Sequence, residues 1–231
     1  GDITKGGRCD GSEEKPYEIS CIEDLVVLSN MTNGKGIKLE NGKAVTITSK
    51  NVFTNKYIIL TKNLNFKSKY SYNDSTRTDF GNLNNDDTDG NSLITEMTTG
   101  TGFIPIADYA GNFDGREHTI ANIYINALEG DKTSKALIKN ATKNASIMNL
   151  CVTGTVKSEW QAAGIVAYGV NNGEIKIINC INKANITGKN MVGGIAASYM
   201  KIIENCTNYG NVEITGSEYR ICWYWGNNRS R

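Results

Sequence analysis

Three stretches of the chain repeat one pattern and decide the fold: Ile147-Met148-Asn149-Leu150-Cys151-Val152, Ile177-Ile178-Asn179-Cys180-Ile181-Asn182 and Ile203-Glu204-Asn205-Cys206-Thr207-Asn208. Their central asparagines are 30 residues apart (149 to 179) and then 26 residues apart (179 to 205). A period of this length is typical of stacked structural units, each of which is too small to bury its apolar face alone. The repeat therefore predicts a protein built by stacking.

Alignment of the three copies places similar residues in columns. Alternate residues of a strand point to the same side, so a column of apolar residues marks the side that faces the core. A column of small residues marks a bend in each copy, and two aligned asparagines could stack as an amide ladder. The apolar columns are Ile147, Ile177 and Ile203; Leu150, Cys180 and Cys206; and Val156, Ile186 and Val212; the small column is Gly154, Ala184 and Gly210, and the ladder is Asn182 and Asn208.

The composition favours many short strands. The 231 residues include 29 Asn, 26 Ile, 24 Gly and 21 Thr, against 2 Pro and 1 His; Ile and Thr favour strands, while Asn and Gly favour tight turns. Together with the columns, this predicts an all-β parallel β-helix, or solenoid. A β-propeller blade fits less well because it needs about 40–45 residues and four strands.

The charge of the chain excludes several classes of partner. With 25 basic and 24 acidic residues the net charge is +1, so the basic surface of a nucleic-acid-binding protein is missing. A polybasic segment for an anionic membrane is missing as well, and no run approaches the ~18 apolar residues that span a bilayer. We expect no nucleic-acid binding and no membrane insertion.

Other segments extend the solenoid upstream. Ser20 and Glu23 form a capping-box pattern ahead of a helical apolar spacing, which predicts a short helix over Ile19–Ser29 that caps the N-terminal end of the stack. Further strands are predicted at Thr46–Thr48, Tyr57–Leu60 and Asn122–Asn126.

Several segments resemble bacterial surface proteins with GLUG-motif repeats. They are Pro16-Tyr17-Glu18-Ile19-Ser20, Phe103-Ile104-Pro105-Ile106, Phe113–Ile125 and the Asn-Cys-x-Asn units followed by Gly-Gly-Ile. The resemblance covers about 16–216. It implies a right-handed parallel β-helix in a large secreted or wall-attached bacterial protein, and a role as an adhesin-like stalk.

The resemblance also sets the predicted boundaries. We expect a flexible segment at 1–15, one solenoid domain over 16–216 with an insertion loop at about 70–100, and an atypical tail at 217–231. The tail replaces the Gly-Gly-Ile coil of the family with Tyr219–Trp225 and contains two of the three Trp residues, so we expect a truncation or an altered reading frame there. Because the chain begins at Gly1 without a leader, it is expected to be a processed product or a fragment. The uncapped last coil also makes self-association through the C-terminal edge an expectation, since it presents unpaired backbone groups.

The only motif with metal-ligand spacing is Asn85-Asp86-Asp87-Thr88-Asp89-Gly90 followed by Glu96. Asn85, Asp87, Asp89 and Glu96 match positions 1, 3, 5 and 12 of a calcium loop, whose oxygens suit a hard cation. Against calcium, position 1 is Asn, Ser92 stands at position 8, and no flanking helices are predicted. The alternative is a polar insertion loop that binds no metal, and calcium is the only cofactor considered.

No other motif points to catalysis. His118, close to Asp114 and Glu117, is expected to lie in a turn rather than to act as an acid or base. Glu159, Glu174, Glu204 and Glu213 fall in different columns, so they do not form the carboxylate pair of a glycosidase. Trp160 begins a coil and could stack on a sugar ring if exposed, but a position at the edge of the core is favoured.

The six cysteines show no zinc spacing, and buried free thiols are favoured over disulfides. The function expected from all of this is a non-catalytic, extracellular or cell-surface module that serves as an adhesin-like stalk or binds a glycan or a host surface protein. Two alternatives stay open because a fold does not determine a function. They are a fragment of a polysaccharide lyase or hydrolase, and an accessory segment of a secreted peptidase.

Overall fold

The structure is a computed structural model and describes residues 2–40, 43–66, 98–170 and 172–216. The repeated stretches stack in parallel register, with Ile147 opposite Ile177 and Ile177 opposite Ile203. Further along each copy, Ile186 lies between its column partners Val156 and Val212. The predicted columns are therefore confirmed, and the chain is a β-solenoid of parallel sheets with a short helix near its N-terminus.

The elements of the described residues are short, as the composition predicts. In chain order they are β1 Tyr17–Ile19, α1 Ile22–Asn33, β2 Ile37–Glu40, β3 Lys43–Thr46, β4 Tyr57–Leu60, β5 Leu64–Asn65, β6 Asn112–Asp114, β7 Thr119–Asn126, β8 Ile138–Ala141, β9 Ser146–Met148, β10 Cys151–Lys157, β11 Ala162–Ala163, β12 Val166–Gly169, β13 Lys176–Ile178, β14 Ile181–Asn182, β15 Asn185–Gly188, β16 Val192–Gly193, β17 Ala196–Ser198, β18 Ile202–Glu204, β19 Thr207–Asn208 and β20 Val212–Ile214.

Each side of the solenoid is one parallel sheet. The first sheet has the order β1-β4-β6-β9-β13-β18. In the second sheet, β5 pairs with β7 and β7 pairs with β10. Strand β10 then pairs with both β14 and β15, which pair in turn with β19 and β20. The third sheet has the order β8-β12-β17. The pair β11-β16 forms a corner between the second and third sheets. Among the paired strands, β2 and β3 are the exception because they form an antiparallel hairpin.

The core runs along the axis and consists mainly of Ile, Leu, Val and Phe. Ile58, Phe113, Ile147 and Ile177 follow one another along the first sheet and are fully buried. Burial of one such side chain contributes about 1.5–3 kcal/mol. Because each column repeats in every tier, this contribution adds along the stack.

Helix α1 begins later and ends later than the sequence predicts. Its N-cap is Cys21, so the third helical residue is Asp24 rather than Glu23. The Asp24 carboxylate accepts hydrogen bonds from the Ser20 backbone N–H at 2.9 Å and from the Ser20 hydroxyl at 3.2 Å. The predicted capping box therefore had the wrong acidic partner. The helix ends at Gly34, which adopts the left-handed conformation with φ 69°.

Two other predictions differ from the structure. The strand predicted at Thr46–Thr48 is instead β3, which ends at Thr46 in the hairpin. Residues 2–15 of the 1–15 segment, which was predicted to be flexible, pack on the first tier: Ile3 joins the core, its carbonyl accepts from Glu18 N–H at 3.1 Å, and Lys5 pairs with Asp24 at 2.7 Å. The insertion loop at about 70–100 lies mostly outside the described residues, and the 217–231 tail lies wholly outside them.

Candidate functional site

The predicted calcium ligands Asn85, Asp87, Asp89 and Glu96 lie outside the described residues, so their arrangement is not part of the structure. Within the residues that the structure does describe, no group of three or more His, Cys, Asp or Glu side chains is placed to hold a metal ion. The calcium site therefore stays a prediction from the sequence.

His118 lies in a turn, as predicted. Its backbone N–H donates to the Gly115 carbonyl at 2.8 Å, and its carbonyl accepts from Cys151 N–H at 3.2 Å. The nearby Asp114 carboxylate accepts from Arg116 N–H at 2.8 Å and from the Asn149 side-chain amide at 3.0 Å. These groups thus hold the turn to the next tier.

Two of the four glutamates form ion pairs between tiers. Glu159 pairs with Lys189, and Glu174 pairs with Lys201 at 3.7 Å. Glu204 lies opposite Ile178 and Glu213 opposite Thr187. The separate columns predicted for these residues are therefore confirmed for Glu204 and Glu213.

The predicted amide ladder is present, and we call Asn182 and Asn208 the inner ladder. The Asn182 amide donates to Asn208 Oδ1 at 2.8 Å and to the Ala184 carbonyl at 2.9 Å, and its own oxygen accepts from Ala184 N–H at 3.1 Å. Asn182 is fully buried. The buried Asn182 amide therefore satisfies the backbone at the bend of its own tier.

Glycines in a neighbouring part of the coil make room for the inner ladder. A Cβ atom at Gly164 would collide with the Asn182 amide oxygen, and one at Gly194 would collide with the Asn208 side chain. Gly164 and Gly194 are therefore required by the ladder, because only a residue without a side chain leaves space for the asparagine opposite it.

Sequence analysis missed a second ladder, which we call the outer ladder: Asp114, Asn149 and Asn179. The Asn179 amide donates to Asn149 Oδ1 at 2.7 Å, and the Asn149 amide donates to Asp114. Asn149 and Asn179 both have φ 53°, a left-handed conformation that Asn tolerates better than most residues. The sequence signal that could have predicted this ladder is the recurrence of Asn at the centre of each copy.

One exposed surface stands out at the corner between the second and third sheets. We call it the Trp160 corner; it consists of residues 128–135, 158–161 and 188–191 in three successive tiers. Trp160 is 36% exposed and Leu128 is 60% exposed. Trp160 therefore leaves about a third of its surface accessible, which fits the predicted position at the edge of the core and still exposes part of the indole.

The backbone of Trp160 is held rigidly. Its N–H donates to the hydroxyl of buried Ser158 at 3.0 Å, and that hydroxyl donates to the Thr133 carbonyl at 3.1 Å. The Trp160 carbonyl accepts from Lys189 N–H at 3.1 Å and Asn190 N–H at 3.2 Å. Hydrogen bonds to both neighbouring tiers thus fix where the indole is presented.

The Trp160 corner also contains paired polar and charged side chains. Ser134 donates to Gln161 Oε1 at 2.9 Å, and Asp131 pairs with Lys135 at 2.8 Å. Burial acts to raise the pKa of Asp131, but hydrogen bonds from Lys135 and Thr133 outweigh it and lower the pKa to about 2. The corner therefore combines an exposed aromatic ring with fixed charged and polar groups, an arrangement suited to amphipathic ligands.

The cysteines with assigned free thiols include Cys9 and Cys180, which are buried, and Cys151 and Cys206, which are half-buried. The predicted free thiols are thus confirmed for these four residues, and their complete burial is confirmed for Cys9 and Cys180. Cys222 lies outside the described residues.

Comparison with known proteins found no family model, no curated protein and no solved structure that matches the chain. Among the described residues no helix is long and apolar enough to cross a membrane.

Proposed function

We propose that this chain is a non-catalytic β-solenoid module of a secreted or cell-surface bacterial protein of the GLUG-repeat kind, and that it binds a glycan at the Trp160 corner. The observation that supports this proposal best is the partly exposed Trp160 indole on a backbone that bonds directly to one neighbouring tier and, through the Ser158 hydroxyl, to the other.

The physical argument rests on pre-organisation. An aromatic ring stacks on the apolar face of a sugar, and the neighbouring polar groups hydrogen-bond its hydroxyls. A side chain whose backbone is already fixed loses little entropy when a ligand binds, so more of the contact energy appears as affinity. Trp is also enriched among the residues that contribute most to binding energy once an interface has covered them.

The test is binding of the full chain to an array of plant, bacterial and animal glycans, with Trp160→Ala beside the wild type. We expect the variant to bind about tenfold more weakly or worse, as for loss of an aromatic hot spot. Tyr209→Ala is the matched control, because Tyr209 is 68% exposed but lies in the last described tier, away from the Trp160 corner. Equal binding by the wild type and Trp160→Ala would refute the site.

The same samples distinguish a binding module from a fragment of a polysaccharide-degrading enzyme. Reducing ends released from any bound polysaccharide would support a lyase or hydrolase fragment, and stable binding without release would support the stalk or adhesin function.

Calcium bound by Asn85, Asp87, Asp89 and Glu96 is part of the proposal on sequence grounds. Binding to the folded chain would raise its melting temperature in millimolar calcium relative to an EGTA-treated sample. Asp87→Ala should abolish that rise, whereas the absence of any rise in the wild type would remove calcium from the proposal.

A further inference from the structure

Two cysteines from different copies of the repeat lie directly above one another. Ile178 is opposite Glu204, and Ile181 is opposite Thr207. Both pairs differ by 26 positions, so the same register places Cys180 opposite Cys206. The two thiols therefore occupy one column in adjacent coils.

This register satisfies the distance requirement of a disulfide. Neighbouring strands are about 4.7–4.9 Å apart, and bridged cysteines have Cα atoms about 4.4–6.8 Å apart. The Cys206 thiol also leans toward the coil that contains Cys180, since it lies 3.5 Å from the Ile177 carbonyl. A bond between the two sulfurs thus requires side-chain rotation but no large backbone movement.

The two thiols differ in access and in acidity. Cys180 is fully buried, whereas Cys206 is half-buried at the last described coil. A hydrogen bond with Cys180 lowers the pKa of Cys206 to about 7, and the same interaction together with burial raises the pKa of Cys180. Because the thiolate is the nucleophile, Cys206 is the residue that reacts first.

We propose that Cys180 and Cys206 are a modification site, at which a reversible disulfide joins the last described coil to the coil before it. The oxidant is a low-molecular-weight disulfide, R–S–S–R, such as glutathione disulfide. This inference is independent of glycan binding at the Trp160 corner.

The reaction balances in two exchange steps. The Cys206 thiolate attacks one sulfur of R–S–S–R, so that the Cys206–S–S–R bond forms and R–S⁻ leaves and takes up a proton. Cys180 then loses its proton and attacks Cys206 Sγ, which forms the Cys180–Cys206 bond and releases the second R–S⁻, protonated to R–SH. Two cysteine thiols are oxidised while one R–S–S–R is reduced to two R–SH, and excess R–SH reverses both steps.

The experiment treats the reduced full chain with glutathione disulfide, blocks the remaining thiols at acid pH and maps tryptic peptides without reduction. Trypsin separates the relevant cysteines, because Cys180 falls in 177–183, Cys206 in 202–220, Cys222 in 221–229 and Cys151 in 144–157. We expect the 177–183 and 202–220 peptides to be linked, with the loss of two titratable thiols per chain, and dithiothreitol to restore both.

Variants identify the order of attack. Cys180→Ser should leave Cys206 trapped as a mixed disulfide with glutathione, and Cys206→Ser should leave Cys180 unmodified. Cys151→Ser is the matched control, because Cys151 is half-buried like Cys206 but lies opposite Ile181 and Thr119, with no thiol in register; it should still form the link. Recovery of Cys180 and Cys206 as separately blocked thiols in the wild type, or a link from Cys206 to Cys222, would overturn the proposal.

Discussion

The coil that spans 176–201 and the last described coil, 202–216, have the same columns but different surroundings. In the first of these, Ile177, Cys180 and Asn182 are fully buried because another tier covers each side. Their counterparts Ile203, Cys206 and Asn208 are half-buried. The residue types are similar, so the difference is due to position in the stack. In a solenoid the neighbouring tier, rather than the local sequence, determines burial and therefore stability.

The largest expected difference between the two coils is in thiol reactivity. In the reduced chain, Cys206 should be alkylated by iodoacetamide about a hundredfold faster than Cys180 near neutral pH, since each unit of pKa changes the thiolate fraction about tenfold. The Cys206 rate should rise with pH through about 7, where its thiol ionises. Peptide mapping at several pH values measures both rates, and equal rates would show that the two positions are equally covered.

Truncation of the isoleucine column should be the next largest contrast. Ile177→Ala removes a fully buried side chain between two tiers and should cost about 3–4 kcal/mol of unfolding free energy. Ile203→Ala should cost roughly half as much, because the site is half-open and can relax. Urea unfolding followed by circular dichroism measures both. Equal losses would mean that Ile203 is covered as completely as Ile177.

The inner ladder gives a smaller contrast. Asn182→Ala leaves the buried Ala184 N–H and carbonyl without their side-chain partner and should cost about 1–3 kcal/mol. Asn208→Ala removes the bond to the Gly210 carbonyl and the oxygen that accepts from the Asn182 amide. Because this site is half-buried and admits water, the loss should be smaller than for Asn182→Ala, about 1 kcal/mol. Urea unfolding measures both losses of unfolding free energy. A larger loss for Asn208→Ala than for Asn182→Ala would contradict this account of the ladder.

The ion pairs between tiers should give the smallest contrast. Lys189→Met, which removes the partner of the mostly buried Glu159 carboxylate, should cost up to about 1 kcal/mol. Lys201→Met breaks a 3.7 Å pair in which both side chains are more than half exposed, and should cost less than about 0.5 kcal/mol. Urea unfolding measures both losses. In high salt the loss for Lys189→Met should shrink, whereas salt-independent losses would indicate that they come from packing of the lysine stems.

Much of the stack could be predicted because its signal recurs. Three copies place Ile147, Ile177 and Ile203 at fixed offsets, and strands with one buried side have one register that buries them. The same recurrence predicted the ladder from Asn182 to Asn208. These features depend on contacts between equivalent residues, so the alignment of the copies already contains them.

Features that occur once were harder to predict. Trp160 has Asn190 at the corresponding place in the next tier, so no column shows which way the indole projects. The start of α1 depends on whether Ser20 or Cys21 is the N-cap, and local sequence propensity does not fix a helix boundary to within one residue. Corners and caps are fixed by hydrogen bonds between non-equivalent residues, which leave no periodic signal.

The central claim is that stack position sets local stability, and native-state hydrogen exchange tests it on matched amides. Ile181 N–H and Lys183 N–H donate to Leu150 and Val152 carbonyls at 2.8 and 2.7 Å, and their counterparts Thr207 and Tyr209 donate to Cys180 and Asn182 carbonyls at 3.0 and 2.8 Å. We expect the first pair to exchange only through global unfolding and the second pair to exchange faster, through local opening of the last described coil. Equal protection of the two pairs would contradict the account.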